Sequence, residues 1–409
     1  MKKIIFAFNI PCFLAGTASA QSSVTLYGIV AGNVTYANNV QIAATSSSGK
    51  PIGGAQVAQL DGSSSGLGTS RWGIKGTEDL GSGINAIFQL ESGLNIDNGT
   101  LGQGGTEFGR QAWVGFSESR YGRLTLGRQG DTSVEFVSPL LYAFSWGNLA
   151  IRPDDYDNLN FTHRINNSIK YLSASYNGLR FGALYSLGGV AGSAAQNQVW
   201  SAGTSYTGAS FSFAASVISA RSPNNSLYGT NANASATGNN FGSAGSATTA
   251  ESNPAIAGFA SAERQQTISV ATTYTAGVVI FGVNYSNTQF RGLGSVAAVN
   301  TLSYSGSTTL STAGINLRYQ ATPFLRFGTS FDYTYGGSVG DKSGAKYEQW
   351  NLGAAYSLSK ATDLYLTGAF QHATGIDSLG RPAVAQIGYL SPSSSDKQVA
   401  FSAGITHLF

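Results

Sequence analysis

The residues able to make or break bonds are few and scattered. Histidine stands only at His163, His372 and His407. A zinc site gathers three or four clustered ligands, and a Ser-His-Asp site embeds its histidine in a recognisable context; the sequence has neither. What remains is charge placed to make a field. Arg71 and Lys75 alternate with Trp72 and Ile74, Lys170 with Ile169 and Tyr171, Arg318 with Leu317 and Tyr319, and Arg326 with Leu325 and Phe327, while Arg123 precedes Leu124. Strand side chains alternate between faces, so each base falls opposite its apolar neighbours. The acids Asp131, Glu135, Asp154, Asp155 and Asp157 lie instead in one long irregular stretch, Gln129 to about Asn166. Facing rows of opposite sign would set up a transverse field that orients dipolar solutes and separates ions of each sign. The bland alternative is that these charges pair and tie the stretch to a wall.

The elements holding the bases are strands. In the closing stretch Gln398–Phe409, Val399, Phe401, Ala403, Ile405 and Phe409 share one face, and Ala400, Ser402, Gly404 and Thr406 the other. Segments of this kind recur: 24–30, 70–80, 84–93, 110–117, 122–128, 167–176, 179–187, 198–206, 209–219, 263–275, 278–289, 309–320, 324–335, 346–358, 363–372 and 398–409, which makes 16. Gly81 and Gly83 permit positive φ in one tight turn, and Asn177-Gly178 marks another. Serine-, glycine- and alanine-rich loops are expected from about Ala37 to Thr69 and from Ala220 to Ala262. A sheet this long must roll up or split. Short turns alternating with long loops, and an even strand count, fit a closed transmembrane barrel with its termini on the short-turn side.

Composition agrees. Glycine numbers 53 and charged residues are 11% of the chain, yet no helical face or long apolar run stands out. The basic Met1-Lys2-Lys3, the apolar Ile4–Gly16 and Ala18-Ser19-Ala20 form an export signal over residues 1–20, with residues 21–409 as one barrel domain. Cys12, the only cysteine, would leave with the signal, so neither disulfides nor thiolate chemistry is expected. Near-neutral charge argues against nucleic-acid binding.

Several blocks resemble the general porins of beta-proteobacteria, the group of Neisseria, Bordetella and Burkholderia porins: 70–81 (SRWGIKGTEDLG), 86–91 (AIFQLE), 109–115 (GRQAWVG), 124–129 (LTLGRQ), 167–171 (NSIKY) and 356–365 (YSLSKATDLY). The resemblance implies an all-β, 16-stranded antiparallel barrel in the outer membrane of a Gram-negative bacterium. It also implies a homotrimer among outer-membrane lipid and lipopolysaccharide, and a third loop folded into each barrel. The first two strands and the closing one would meet neighbouring subunits, with Ser92 to Phe108 latching one of them. Phe409 would carry the signal read by the barrel-assembly machinery. Thr406, Leu408 and Ala361 depart from the family, which usually has basic residues there.

On that resemblance Gln129–Asn166 is the constriction loop. Arg71, Lys75, Arg123, Lys170, Arg318 and Arg326 would be the basic wall facing its five acids. The expected function is a water-filled channel for passive diffusion of ions and small hydrophilic solutes, without cofactor or metal, leaning slightly to anions. A substrate-specific channel, an adhesin built on the long loops and a barrel hydrolase are the alternatives. Stepwise bilayer conductance without turnover of lipid or peptide separates a channel from an enzyme.

Overall fold

The computed structural model describes residues 23–45, 50–338 and 343–409; the expected export signal lies outside them. The strands are β1 (Ser23–Ala43), β2 (Ile52–Asp61), β3 (Arg71–Asp79), β4 (Ile84–Asn95), β5 (Thr100–Leu101), β6 (Gln111–Glu118), β7 (Gly122–Gln129), β8 (Ile165–Leu172) and β9 (Leu179–Ser186). They continue as β10 (Val199–Thr207), β11 (Phe211–Arg221), β12 (Arg264–Ala276), β13 (Val279–Leu293), β14 (Gly306–Gln320), β15 (Leu325–Gly336), β16 (Lys346–Ser357), β17 (Thr362–Thr374) and β18 (Lys397–Leu408). β2 and β3 run one after the other along β1, from Ala43↔Ile52 to Gly32↔Asp61 and then from Ile29↔Arg71 to Ser23↔Thr77. They are a single wall strand interrupted by residues 62–70, and β5 is a two-residue ribbon on β4. The wall therefore has 16 antiparallel strands, closed by β1 on β18 from Ile29↔Leu408 to Ala37↔Ala400.

The alternation in the sequence decides which face is which. Leu352, Leu366 and Phe401 are 66%, 63% and 59% exposed on the outside, while Gln349, Asn351, Gln371 and Ser402 on the inside are buried. An apolar side chain so exposed is favourable only against hydrocarbon, at roughly 1.5–3 kcal/mol per large residue. A closed ladder also leaves no strand edge unsatisfied within the lipid. At one end the turns are short. Asn177 and Gly178 take φ of 52° and 88°, the primed geometry that matches strand twist. At the other end the loops are long and fold inward.

Two stretches expected to be loops are built otherwise. β1 runs on to Ala43 and β2 pairs back on it, so most of Ala37–Thr69 is wall. Its small Ala, Gly and Gln residues carry little strand signal. The wall is recognisable only from the outward Val34, Tyr36, Ile42 and Val57, which are exposed. Ala220–Ala262 is a packed cap in which Leu227, Tyr228, Phe241, Ile256 and Phe259 join Phe290, Tyr347 and Tyr156 in one apolar cluster inside the barrel mouth.

Candidate functional site: the lumen and its inward loop

Residues 130–164, the third long loop, cross the interior and are fixed at both ends. Asp131 caps the helix Thr132–Phe136 by accepting from the Ser133 amide at 2.7 Å, and its other oxygen accepts from Asn158 at 2.8 Å. Burial lifts its pKa, but these donors hold it in place. Glu135, on the same helix, faces the wall. Lys170 Nζ reaches its carboxylate at 2.6 Å and Arg123 at 3.3 Å. Burial alone would raise the Glu135 pKa, and the two cations outweigh it and pull it down. Further along, Arg318 donates to the Leu140 carbonyl at 2.6 Å. Trp146 lies against the backbone of Gly328 and Gly353, where a side chain would collide with its ring. Arg326 sits over that ring at 5.7 Å and pairs with Asp363 at 2.7 Å.

The returning limb is held just as closely. Arg152 pairs with Asp157 at 2.8 Å, both buried, and Asp157 also accepts from Ser286 on β13 at 2.6 Å. Asp154 accepts from the Ala255 amide of the cap at 2.9 Å. Asp155 accepts from the Asn160 amide at 3.0 Å and from Thr162 Oγ1. Burial first, then the neighbouring charges of Asp377 and Asp157 respectively, push Asp154 and Asp155 up to about 7. The opposed rows expected from the sequence are thus in direct contact at Glu135, Lys170 and Arg123. Arg318 and Arg326 seat the loop, and the other four acids are buried: Asp131 and Asp155 in the loop's own bonds, Asp154 on the cap, and Asp157 between Arg152 and β13. Of the expected bases, Arg71 alone borders the open path. Lys75 is exposed nearer the short-turn end, 5.3 Å from the Tyr27 ring centre. Phe409 closes β18 on β1 through paired backbone bonds with Gly28 at 3.0 and 3.1 Å.

The open path runs between this loop and the wall of β1, β3, β4 and β6. A cavity of ≈ 440 Å³ bounded by Arg71, Glu91, Arg110 and Val134 meets one of ≈ 810 Å³ toward the long loops, and both touch Thr69, Arg110, Asn160 and Phe161. Strand register explains the charges at the junction. Tyr27, Gly73 and Glu91 lie in one row across β1, β3 and β4. Gly73 leaves room for Tyr27, which donates to Glu91 at 2.9 Å. Arg110 joins Glu91 by its backbone amide and by Nε at 2.7 Å, and Arg71 lies 3.8 Å from the same carboxylate. Across from them the Arg164 guanidinium stacks on Phe161 at 4.1 Å, with Arg110 5.8 Å from the same ring. Burial, then Arg110, drives the Arg164 pKa down from its ordinary value. Phe161 sits at φ 60°, a strained conformation for a bulky residue, where the two cavities meet. Three arginines therefore face the path, and Glu91 is the one carboxylate among its lining residues.

Comparison with known proteins agrees with this geometry. Residues 7–375 match the family described as Gram-negative porin. The chain belongs to that family. A porin of this kind resides in the outer membrane. Over 192 residues the chain is 36% identical to an outer membrane porin protein of Bordetella pertussis, covering 46% of this chain and 48% of the relative. Over 193 residues it is 35% identical to outer membrane porin protein 32 of Delftia acidovorans, covering 45% and 49%. The chain thus spans about half the length of these curated relatives. Among solved structures, an anion-selective porin from Comamonas acidovorans superposes with a TM-score of 0.67 at 20% identity, covering 95% of this chain and 100% of that one. At that identity the likeness concerns the fold.

Glu91, Arg110 and Arg164 escaped the sequence reading of this porin. Arg164 stands just before its strand, where alternation gives no face, and Arg110 heads the expected strand 110–117 but precedes β6, which begins at Gln111. Glu91 had a usable signal: it lies two residues from Gln89 on the polar face of a hairpin whose other strand carries Arg71.

Proposed function

We propose that the protein is a passive diffusion channel for ions and small hydrophilic solutes that favours anions. The observation carrying this reading is the continuous path bounded by Arg71, Arg110 and Arg164 against Glu91 alone. In a confined lumen such an excess of one sign raises the local concentration of the opposite ion. The nearby Asp155 is turned into bonds with Asn160 and Thr162, away from the path. The name of the Comamonas relative, an anion-selective porin, supports the same sign. The chain works by binding weakly and letting go, without turnover. Planar-bilayer recording of the refolded protein tests it: discrete conductance steps are expected, with a reversal potential in a salt gradient of the sign set by anions. A cation-selective reversal would refute the preference, and silent bilayers would refute the channel.

The working unit is a homotrimer whose contacts run along β1–β3 and β18, with Phe409 marking the strand for assembly and residues 1–20 directing export. The trimer form of a Vibrio cholerae outer membrane protein among the fold neighbours supports the assembly. Ser92–Phe108 leans on its own subunit, where Thr106 accepts from the Ala232 amide at 3.2 Å, and its exposed tip at 96–101 is left for a neighbour.

A further inference from the structure

The outer surface carries a row of arginines that the channel does not use. Arg221, Arg264 and Arg291 lie directly opposite one another on β11, β12 and β13, at the long-loop ends of those strands. All three are on the outward face, the one that two residues at a time becomes Ile268, Val270 and Tyr274 along β12. Adjacent strands are about 4.8 Å apart, so three guanidinium groups crowd within about 10 Å. Like charges directly opposite across a ladder are destabilising. Glu263 is the acid at hand and takes Arg221 at 3.2 Å; Arg291 leans on the neutral Gln289, and Arg264 has no partner among the described residues.

The height of the row identifies what would neutralise it. From Arg264 to Tyr274 is ten residues, and Tyr274 sits between Phe211 and Phe281 in an aromatic row near the short-turn end. Ten residues of a strand tilted by about 40° rise roughly 25 Å, the height of the apolar band of such barrels. The arginines therefore stand at the upper edge of the hydrocarbon, level with the headgroups of the outer leaflet. β11–β13 are also the ninth to eleventh wall strands, across the barrel from β1 and β18, so this face meets lipid in the proposed trimer. Guanidinium groups pair with phosphate oxygens two at a time, which suits them to a crowded anionic headgroup.

We propose that Arg221, Arg264 and Arg291 form a docking site for the phosphate groups of an outer-leaflet lipid, held from the side of the barrel and independent of the pore. The test uses the full barrel in detergent, with lipid adducts counted by native mass spectrometry. Bisphosphoryl lipid A is expected to bind, and the Arg221→Gln/Arg264→Gln/Arg291→Gln triple variant to bind about a hundredfold more weakly, following the usual contribution of each basic residue near an anionic surface. Single-channel conductance should be unchanged in that variant, and the triple lysine variant should keep most of the binding. Arg264→Gln alone, which removes no ion pair, should lose about fivefold and serves if the triple variant does not fold. Equal binding by the triple glutamine variant, equal binding of dephosphorylated lipid A, or displacement of lipid A by millimolar inorganic phosphate would each overturn the proposal, the last by pointing to a free-anion site.

Discussion

Arg164→Gln is the sharpest test of the lumen charge. Arg164 pairs with no carboxylate; its one bond of this kind goes to the Thr162 carbonyl at 2.8 Å. Removing it strands no acid, whereas removing Arg110 would leave the buried Glu91 carboxylate with Tyr27 and, as its nearest cation, the more distant Arg71. The formal charge on the path falls from three arginines less one glutamate to two less one. A unit charge about 6 Å from a passing ion in water-like surroundings is worth roughly 0.7 kcal/mol, about threefold in local ion concentration. The change acts in opposite directions on anions and cations, so their permeability ratio should shift toward cations by up to about tenfold at low salt. At physiological salt the screening length is about 8 Å, and the shift should shrink to about threefold. The assay is the reversal potential across a planar bilayer in potassium chloride gradients at two mean concentrations. An unchanged ratio at both, in a variant that still opens to wild-type conductance, would show that Arg164 does not face the ion path.

Glu135→Gln should free the inward loop, because Lys170 is left buried with only the Gly130 carbonyl; about 3–5 kcal/mol of local stability is at stake, read as added noise and closures in single-channel records. The same anchor should weaken in acid: the folded Glu135 pKa is depressed, so its contribution is present above the ordinary carboxylate value and lost as pH falls through the lower folded one, checked by noise against pH. The cap behaves in the opposite sense. Asp154 and Asp377, held up to about 7 by burial, give stability that is complete below the ordinary carboxylate pKa and lost as pH rises through about 7. Amide protection in residues 254–258 and 377–381, taken relative to the intrinsic exchange rate at each pH, should therefore be greater at pH 6 than at pH 8, and Asp154→Asn with Asp377→Asn should flatten the difference. Trp146→Ala should cost about 3–5 kcal/mol at the loop's seat on Gly328 and Gly353 and raise closure frequency, measured at constant voltage.

The wall could be read from the sequence because lipid on one side and water on the other impose period two on every strand they share. The strands from Leu179 to Gln320 were recoverable within about four residues. Where the outward residues are sparse the pattern fades, and β2, with Val57 set among Gly, Ala and Gln, reads as loop. The cap fails for another reason. Phe241, Ile256 and Phe259 are single apolar residues in a serine- and asparagine-rich tract, and their partners Phe290 and Tyr347 are distant in sequence. No local window contains the contact that orders them.

The charges show how far parity carries. It put Arg123, Lys170, Arg318 and Arg326 inside the barrel, where they are, but the inside has two territories. Over β7–β17 the inward loop covers the wall, and a cation there meets that loop, as Lys170 meets Glu135 and as Arg326 meets the Trp146 ring while pairing with Asp363 of the wall. Over β1–β6 the loop stands off the wall, and a cation there borders the open path, as Arg71 and Arg110 do beside Glu91. Which territory a base occupies depends on where a 35-residue loop lies, residues 130–164, and that is set by Trp146 finding two glycines on β15 and β16 and by Asn148 bonding the carbonyls of Gly62 and Ser63 at 2.9 and 2.8 Å. The interruption of the second wall strand at 62–70 is therefore part of the same device: it lifts backbone acceptors off the wall to hold the far end of the loop, and so decides which arginines border the open path.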